Sequence, residues 1–301
     1  MGYVFKNHER VSDGVKRIAL EQLDKAIEQT QPTVKNQDEA IHDTRVSLKK
    51  LRALLRLGRA KTNDDVFAHE DTCYRDMGRR LSEVRDTTAM IAALDKLTEH
   101  YADQLAPNAF AELRKPFIRT RRKQQAHKNK AMAAVARMLQ SARSRVTHWP
   151  IDDDGFSVLR QGLKRVYKNG RMSMAQAKAK PNVENLHEWR KRVKDLMYHV
   201  RLLNPIWPRM LEDLADELER LADYLSDDHD LAILRHTVLQ QRPEDRTQLE
   251  TLVALIDQRR GELEVEAKRL GRRMYVEKPD ALVRRFEVYW RAWCAETTIR
   301  S

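Results

Sequence analysis

The chain has 301 residues, with 57 Lys+Arg against 45 Asp+Glu, a formal charge of +12 and a pI near 9.7. That length admits one large or two medium domains, and nine Gly, nine Pro and 6% aromatic residues disfavour a strand-rich fold and favour an all-α one. The charge points to an anionic partner (nucleic acid, a membrane surface or another polyphosphate), and two cysteines, Cys73 and Cys294, are too few for a disulfide framework or a cysteine zinc site.

Residues 1–10 hold no apolar signal core, and no run approaches a membrane span. A soluble, cytoplasmic protein without a membrane partner is expected. Ser12-Asp13 is the predicted N-cap of an amphipathic helix through Ile18, Leu23 and Ile27, ended by Pro32. A second helix is predicted from about residue 37 to a C-cap at Gly58. Asn63-Asp64-Asp65 starts a third, running to Val84, and Arg85-Asp86-Thr87 breaks it before a shorter helix through Leu97. Pro107-Asn108 introduces one long helical stretch to about residue 145. Residues 148–155, polar and turn-rich, read as a linker. The tail from Asp280 reads as a last helix in which Trp290 and Trp293 pack.

The second helix carries the most informative pattern. On a wheel of about 100° per residue, His42, Arg45, Lys49, Arg52 and Arg56 share a strip about 80° wide. Ile41, Leu48, Leu51 and Leu55 occupy the strip beside it. Such a helix buries its leucines and holds a rail of cations at the margin of the core. At about 1.5 Å per residue the rail is about 21 Å long, which suits an extended polyanion better than a point ligand. A basic helix face is ordinarily just solvated. Like charges at i,i+3 and i,i+4 repel by about 0.2–0.5 kcal/mol per pair, however, and this strip holds no acid of its own to relieve them.

The rail is written twice. Setting His42 on His187 also sets Arg45 on Arg190, Lys49 on Lys194, Leu51 on Leu196 and Arg56 on Arg201. Other elements answer in the same order: Gly14-Val15-Lys16-Arg17-Ile18 by Gly162-Leu163-Lys164-Arg165-Val166, and Leu81-Ser82…Asp86 by Leu225-Ser226…Asp230. Ile118-Arg119-Thr120-Arg121-Arg122 is answered by Ile256-Asp257-Gln258-Arg259-Arg260. Two homologous helical bundles are therefore expected, residues 1–149 and 156–301. Charge is segregated along the chain: residues 101–150 hold 11 basic and 2 acidic residues, residues 202–250 hold 5 and 12. Unrelieved repulsion in both copies predicts that an anion outside the chain neutralises the rails.

With these residues laid out, the sequence resembles the CHAD (conserved histidine α-helical domain) family over nearly its whole length. The resemblance rests on the paired His-x-x-Arg…Lys helices, the Leu-Ser-x-x-x-Asp elements and the segment Gly162 to Arg171. It implies two four-helix bundles related by a pseudo-twofold axis, a basic surface that binds inorganic polyphosphate, and association with polyphosphate granules. Some members carry a triphosphate-tunnel domain ahead of this region. This chain enters the first bundle by residue 12 and shows no Glu-x-Glu-x-Lys strand, so phosphohydrolase activity is not carried over and no enzyme is expected. The second rail departs from the first at Met197, where the first has Arg52, and at Asp195, where it has Lys50.

Polyphosphate offers closely spaced charges and no bases, so a row of cations suffices to hold it, Arg by bidentate contacts and Lys as a point charge. Arg45, Lys49, Arg52 and Arg56 are expected to line one wall, and Arg190, Lys194 and Arg201 the symmetric one. Lys164, Lys168 and Arg171 extend the path, and Arg17, Arg121 and Arg122 flank it. His42 and His187 each fit two roles: donating to phosphate, with binding strengthened below about pH 6.5, or bonding internally to fix the bundle. Two other partners compete. A nucleic-acid backbone fits the same cations, although the rails lack interleaved aromatics, a helix-turn-helix and a zinc pattern. Histidine phosphotransfer also uses a His on a four-helix bundle, but no Gly-rich phosphate loop is present. Asp227-Asp228-His229-Asp230 and Asp64-Asp65…His69-Glu70 are read as caps, and neither a metal nor another cofactor is expected.

Overall fold

The computed structural model describes residues 2–7, 9–31, 33–58, 64–82, 86–151, 155–241 and 246–298, apart from the side chains of Asp64, Asp86, Gln125, Thr297 and Thr298. The features expected at Pro32, Asn63, Glu83 to Arg85 and Asp152 to Asp154 lie outside these residues. Among the described residues there are eleven α-helices and no strand: α1 Val11–Gln29, α2 Gln37–Gly58, α3 Asp64–Ser82, α4 Asp86–His100, α5 Ala111–Lys123, α6 Gln125–Val146, α7 Ser157–Ala179, α8 Val183–Leu202, α9 Pro208–Gln241, α10 Arg246–Met274 and α11 Pro279–Thr298. The fold is all-α.

Helix periodicity decides most of these boundaries. In α1, Val11, Val15, Ile18, Ala19, Leu23 and Ala26 are buried, a single apolar stripe. Its start differs from expectation: Arg10 is the N-cap residue, without a side-chain cap bond, and Ser12 is buried inside the first turn. The long stretch expected from 108 to 145 is two helices. Phe110 takes a left-handed backbone (φ 65°) before α5, and α5 ends at Gln124. The break follows from burial. Leu113 and Phe117 of α5 face one core, while Val135, Leu139, Ala142 and Val146 of α6 face another. The run Asp227 to Asp230 lies in the middle of α9 and caps nothing.

Helices α1, α2, α3 and α6 form one closed ring of four, each touching two neighbours. Helices α7, α8, α9 and α10 form a second, with α11 laid against α7. The main core does not divide at the linker, because it takes in buried side chains from both rings. The smaller core is also shared: Ile91, Leu94 and Leu97 of α4 and the two α5 residues meet Leu231, Leu234 and Val238 of α9 and Leu252, Ile256 and Leu263 of α10. Trp290 is buried against Phe5, Phe156 and Trp293, so the tail aromatics pack as expected.

The rings meet where α2 touches α7 and α8. A Cβ on Gly162 of α7 would overlap the Leu57 carbonyl of α2, so only glycine permits this approach. Helices α2 and α8 run antiparallel at their contact. Arg56 pairs with Asp195 at 2.5 Å, His199 Nε2 donates to the Ala53 carbonyl at 2.8 Å, and Lys50 lies within electrostatic reach of Arg201. Shifting either helix by 145 residues exchanges these contacts: Arg56 beside residue 195 becomes Arg201 beside residue 50. The crossing contacts are thus reciprocal between the two copies.

Candidate functional site

Each rail helix turns its cationic strip toward the helix that follows it in its own ring. On α2, the Arg45 guanidinium donates from Nη1 to the Gly78 carbonyl at 2.8 Å and to Ser82 Oγ, both on α3. On α8, Arg190 Nε donates to Ser226 Oγ of α9 at 2.7 Å. Both serines donate in turn to the carbonyl four residues back, Gly78 and Ala222. The His-x-x-Arg and Leu-Ser repeats are thus two sides of one joint. The serine lends its hydroxyl to the arginine and returns its own proton to the helix.

Further along α2, Arg52 makes a bidentate pair with Asp71 of α3 at 2.9 and 3.1 Å, and Arg56 reaches the same carboxylate at 3.3 Å. Burial alone would raise the Asp71 carboxyl. The Arg52 hydrogen bond and the charges of Arg52, Arg56 and Arg75 outweigh it and hold it below the ordinary range. This corrects the expectation that only an external anion relieves the rail, because a partner helix supplies a carboxylate that no single-helix wheel can show. Asp195, where the first copy has Lys50, is the second such group. Burial pushes its carboxyl up against the pull of Arg56 and Arg192. The departure from the repeat is therefore a neutralising residue at the helix crossing.

Arg201 pairs with Glu219 of α9 at 2.8 Å. Burial and the nearby Arg190 charge lower the Lys194 ammonium to about 8, against the pull of Asp223, Asp230 and Glu219. The His187 ring lies 4.3 Å from that of His229, centroid to centroid, at 32°. Burial, reinforced by His229, Arg190 and Lys191, lowers His187 to about 4, and burial with Arg190 and Arg260 does the same to His229. His187 is neutral at physiological pH, so protonation near pH 6.5 does not apply to it. His42, its counterpart, is exposed.

A family model of the CHAD domain matches residues 17–239. The chain belongs to the CHAD domain family. The crystal structure of the CHAD domain from the plant Ricinus communis is similar with a TM-score of 0.61 at 16% identity, covering 89% of this chain and 93% of that one, and shares the fold. No curated protein matches the sequence.

The remaining predicted cations of this CHAD domain are spread over several surfaces. Arg17 is bound by Glu9 and Glu21, the latter at 3.0 Å, and faces the N-terminal segment. Lys164 pairs with Asp280 at 2.5 Å and Arg171 donates to the Glu277 carbonyl, so both turn to the α11 side of α7. Lys168 is exposed on the same helix. Arg121 and Arg122 sit at the end of α5, which packs on α4. The cation of α7 that does reach the first rail is Arg165, donating to the Arg56 carbonyl at 3.3 Å. The repeat aligns Arg165 with Arg17, which was the available signal. Among the described residues no group of three His, Cys, Asp or Glu side chains is placed to hold a metal, and no helix is long and apolar enough to cross a membrane.

Proposed function

We propose that this CHAD protein binds inorganic polyphosphate without catalysis, through the cationic row that runs along α2 and meets α8 at the crossing, and that it associates with polyphosphate granules. The observation that carries the reading is the junction itself. Two copies of one cationic helix cross there, which brings Arg56 and Lys50 of the first beside Asp195 and Arg201 of the second. Family membership supports the same ligand class, since CHAD domains are associated with polyphosphate. No aromatic side chain is interleaved with the rail strip of α2, which favours a ligand of bare phosphates over one with bases to stack. Phosphotransfer through His187 is disfavoured by its half-buried place against His229.

The test is a titration of labelled polyphosphate into wild type and Lys49→Ala/Arg52→Ala across a salt series, with duplex DNA as competitor and circular dichroism to verify folding. Removing two phosphate contacts should weaken binding and flatten the log–log salt slope by about 2, by analogy with counterion release from DNA. An unchanged slope in the folded variant, or displacement of polyphosphate by equimolar duplex, would count against the proposal.

A further inference from the structure

The two halves share the Arg–Ser joint, which fixes an offset of 144 between α3 and α9 at Ser82 and Ser226. Neither helix is interrupted over the two turns before its serine, so the offset carries Arg75 onto Glu219 and Arg79 onto Asp223. At the two positions flanking the rails, charge is therefore reversed between halves. The third acidic position does not discriminate, because Asp86 and Asp230 correspond.

The acidic side chains of α9 are turned onto the second rail. Glu219 binds Arg201 at 2.8 Å, and Glu219, Asp223 and Asp230 all act on Lys194. In the first half, the only α3 carboxylate paired with the rail among the described residues is Asp71, one turn before Arg75; its second-half counterpart is the buried Ala215. Arg75 is half-exposed with Asp76 beside it at 3.1 Å, and Arg79 is exposed. Among the described residues one face thus presents Arg45, Lys49, Arg52, Arg56, Arg75 and Arg79 with Asp71, Asp76 and Asp195 beside them, while the other sets Glu219, Asp223 and Asp230 against Arg190, Lys194 and Arg201.

We infer that α9 carries a built-in counter-anion, Glu219 and Asp223, which occupies the second rail, so that a polyphosphate chain is taken on the α2–α3 face alone. This rests on the polyphosphate reading above and adds to it which half binds and which residues decide it. Glu219 and Asp223 act as specificity-determining residues: they repel phosphate where their counterparts attract it.

The experiment restores the first-half residues in the second half, Glu219→Arg/Asp223→Arg, and makes the reverse change, Arg75→Glu/Arg79→Asp. Both are titrated with labelled polyphosphate of one fixed length, with stoichiometry measured by calorimetry and folding by thermal melts. Glu219→Gln/Asp223→Asn serves as a milder second variant if the reversal impairs folding. Wild type should take one chain per protein. The first variant should take a second chain, or bind about tenfold tighter between 50 and 200 mM salt with a slope steeper by about 2. The reverse variant should lose about as much. Wild type taking two chains, or either swap leaving affinity, slope and stoichiometry unchanged, overturns the one-sided inference alone. Wild type that takes none overturns the polyphosphate reading itself.

Discussion

The His199 contact at the helix crossing makes folding stability acid-dependent by a predictable amount. Its imidazole is fully buried, with Nε2–H donated to the Ala53 carbonyl at 2.8 Å. Burial is the largest influence on it and, with the charges of Arg56 and Arg165, outweighs the Ala53 bond, lowering the ring to about 4. In the unfolded chain the ring titrates near its ordinary value of about 6.5. The folded-state value is the lower one, so the stabilisation is complete above pH 6.5 and is lost as pH falls toward 4. At pH 5 the unfolded chain gains about 2 kcal/mol from this one ring. Substituting His199→Leu, the residue type of Leu54 at the equivalent position in α2, removes the titration at a cost of about 1 kcal/mol for the lost hydrogen bond at neutral pH. Unfolding free energies from urea denaturation at pH 7.5 and 5.0 should therefore fall by about 2 kcal/mol more in wild type than in the variant. Equal losses in the two proteins would refute the reasoning.

Gly162→Ala should lower the thermal midpoint strongly, because the added carbon meets backbone rather than a yielding side chain; a cost of about 3 kcal/mol is expected, read by calorimetry. His187 and His229 should titrate by NMR with midpoints near 4, and polyphosphate affinity of the His187→Asn variant should follow the same pH profile as wild type between pH 6 and 8. A midpoint near 6.5 for either ring would show that the stacked pair opens in solution.

The elements that a wheel or a repeat can show were legible before the structure. Gln37–Gly58 matches the predicted second helix, and the pairing of the His-x-x-Arg and Leu-Ser repeats follows one order in both halves. What a wheel cannot show is which helix lies opposite. Asp71 is the acid of the first rail, yet it sits 19 residues from Arg52 on another helix, and nothing in its neighbourhood marks it. The same limit applies to Lys164 and Arg165, adjacent cations on one helix. Only tertiary placement sends Lys164 to Asp280 and Arg165 to the Arg56 carbonyl. The break at Gln124 was hidden for a different reason: helix propensity is continuous there, and the change lies in which core each side of it serves.

The shared smaller core has a consequence for synthesis. Ile91, Leu94, Phe110 and Phe117 leave the ribosome well over a hundred residues before Leu231, Leu252 and Ile256, the side chains that cover them. The α4–α5 hairpin of the nascent protein therefore spends that interval as a greasy flap beside an otherwise closed ring. A translational stall or a truncation before residue 231 leaves that flap open, a ready target for holdases and for association with other incomplete chains.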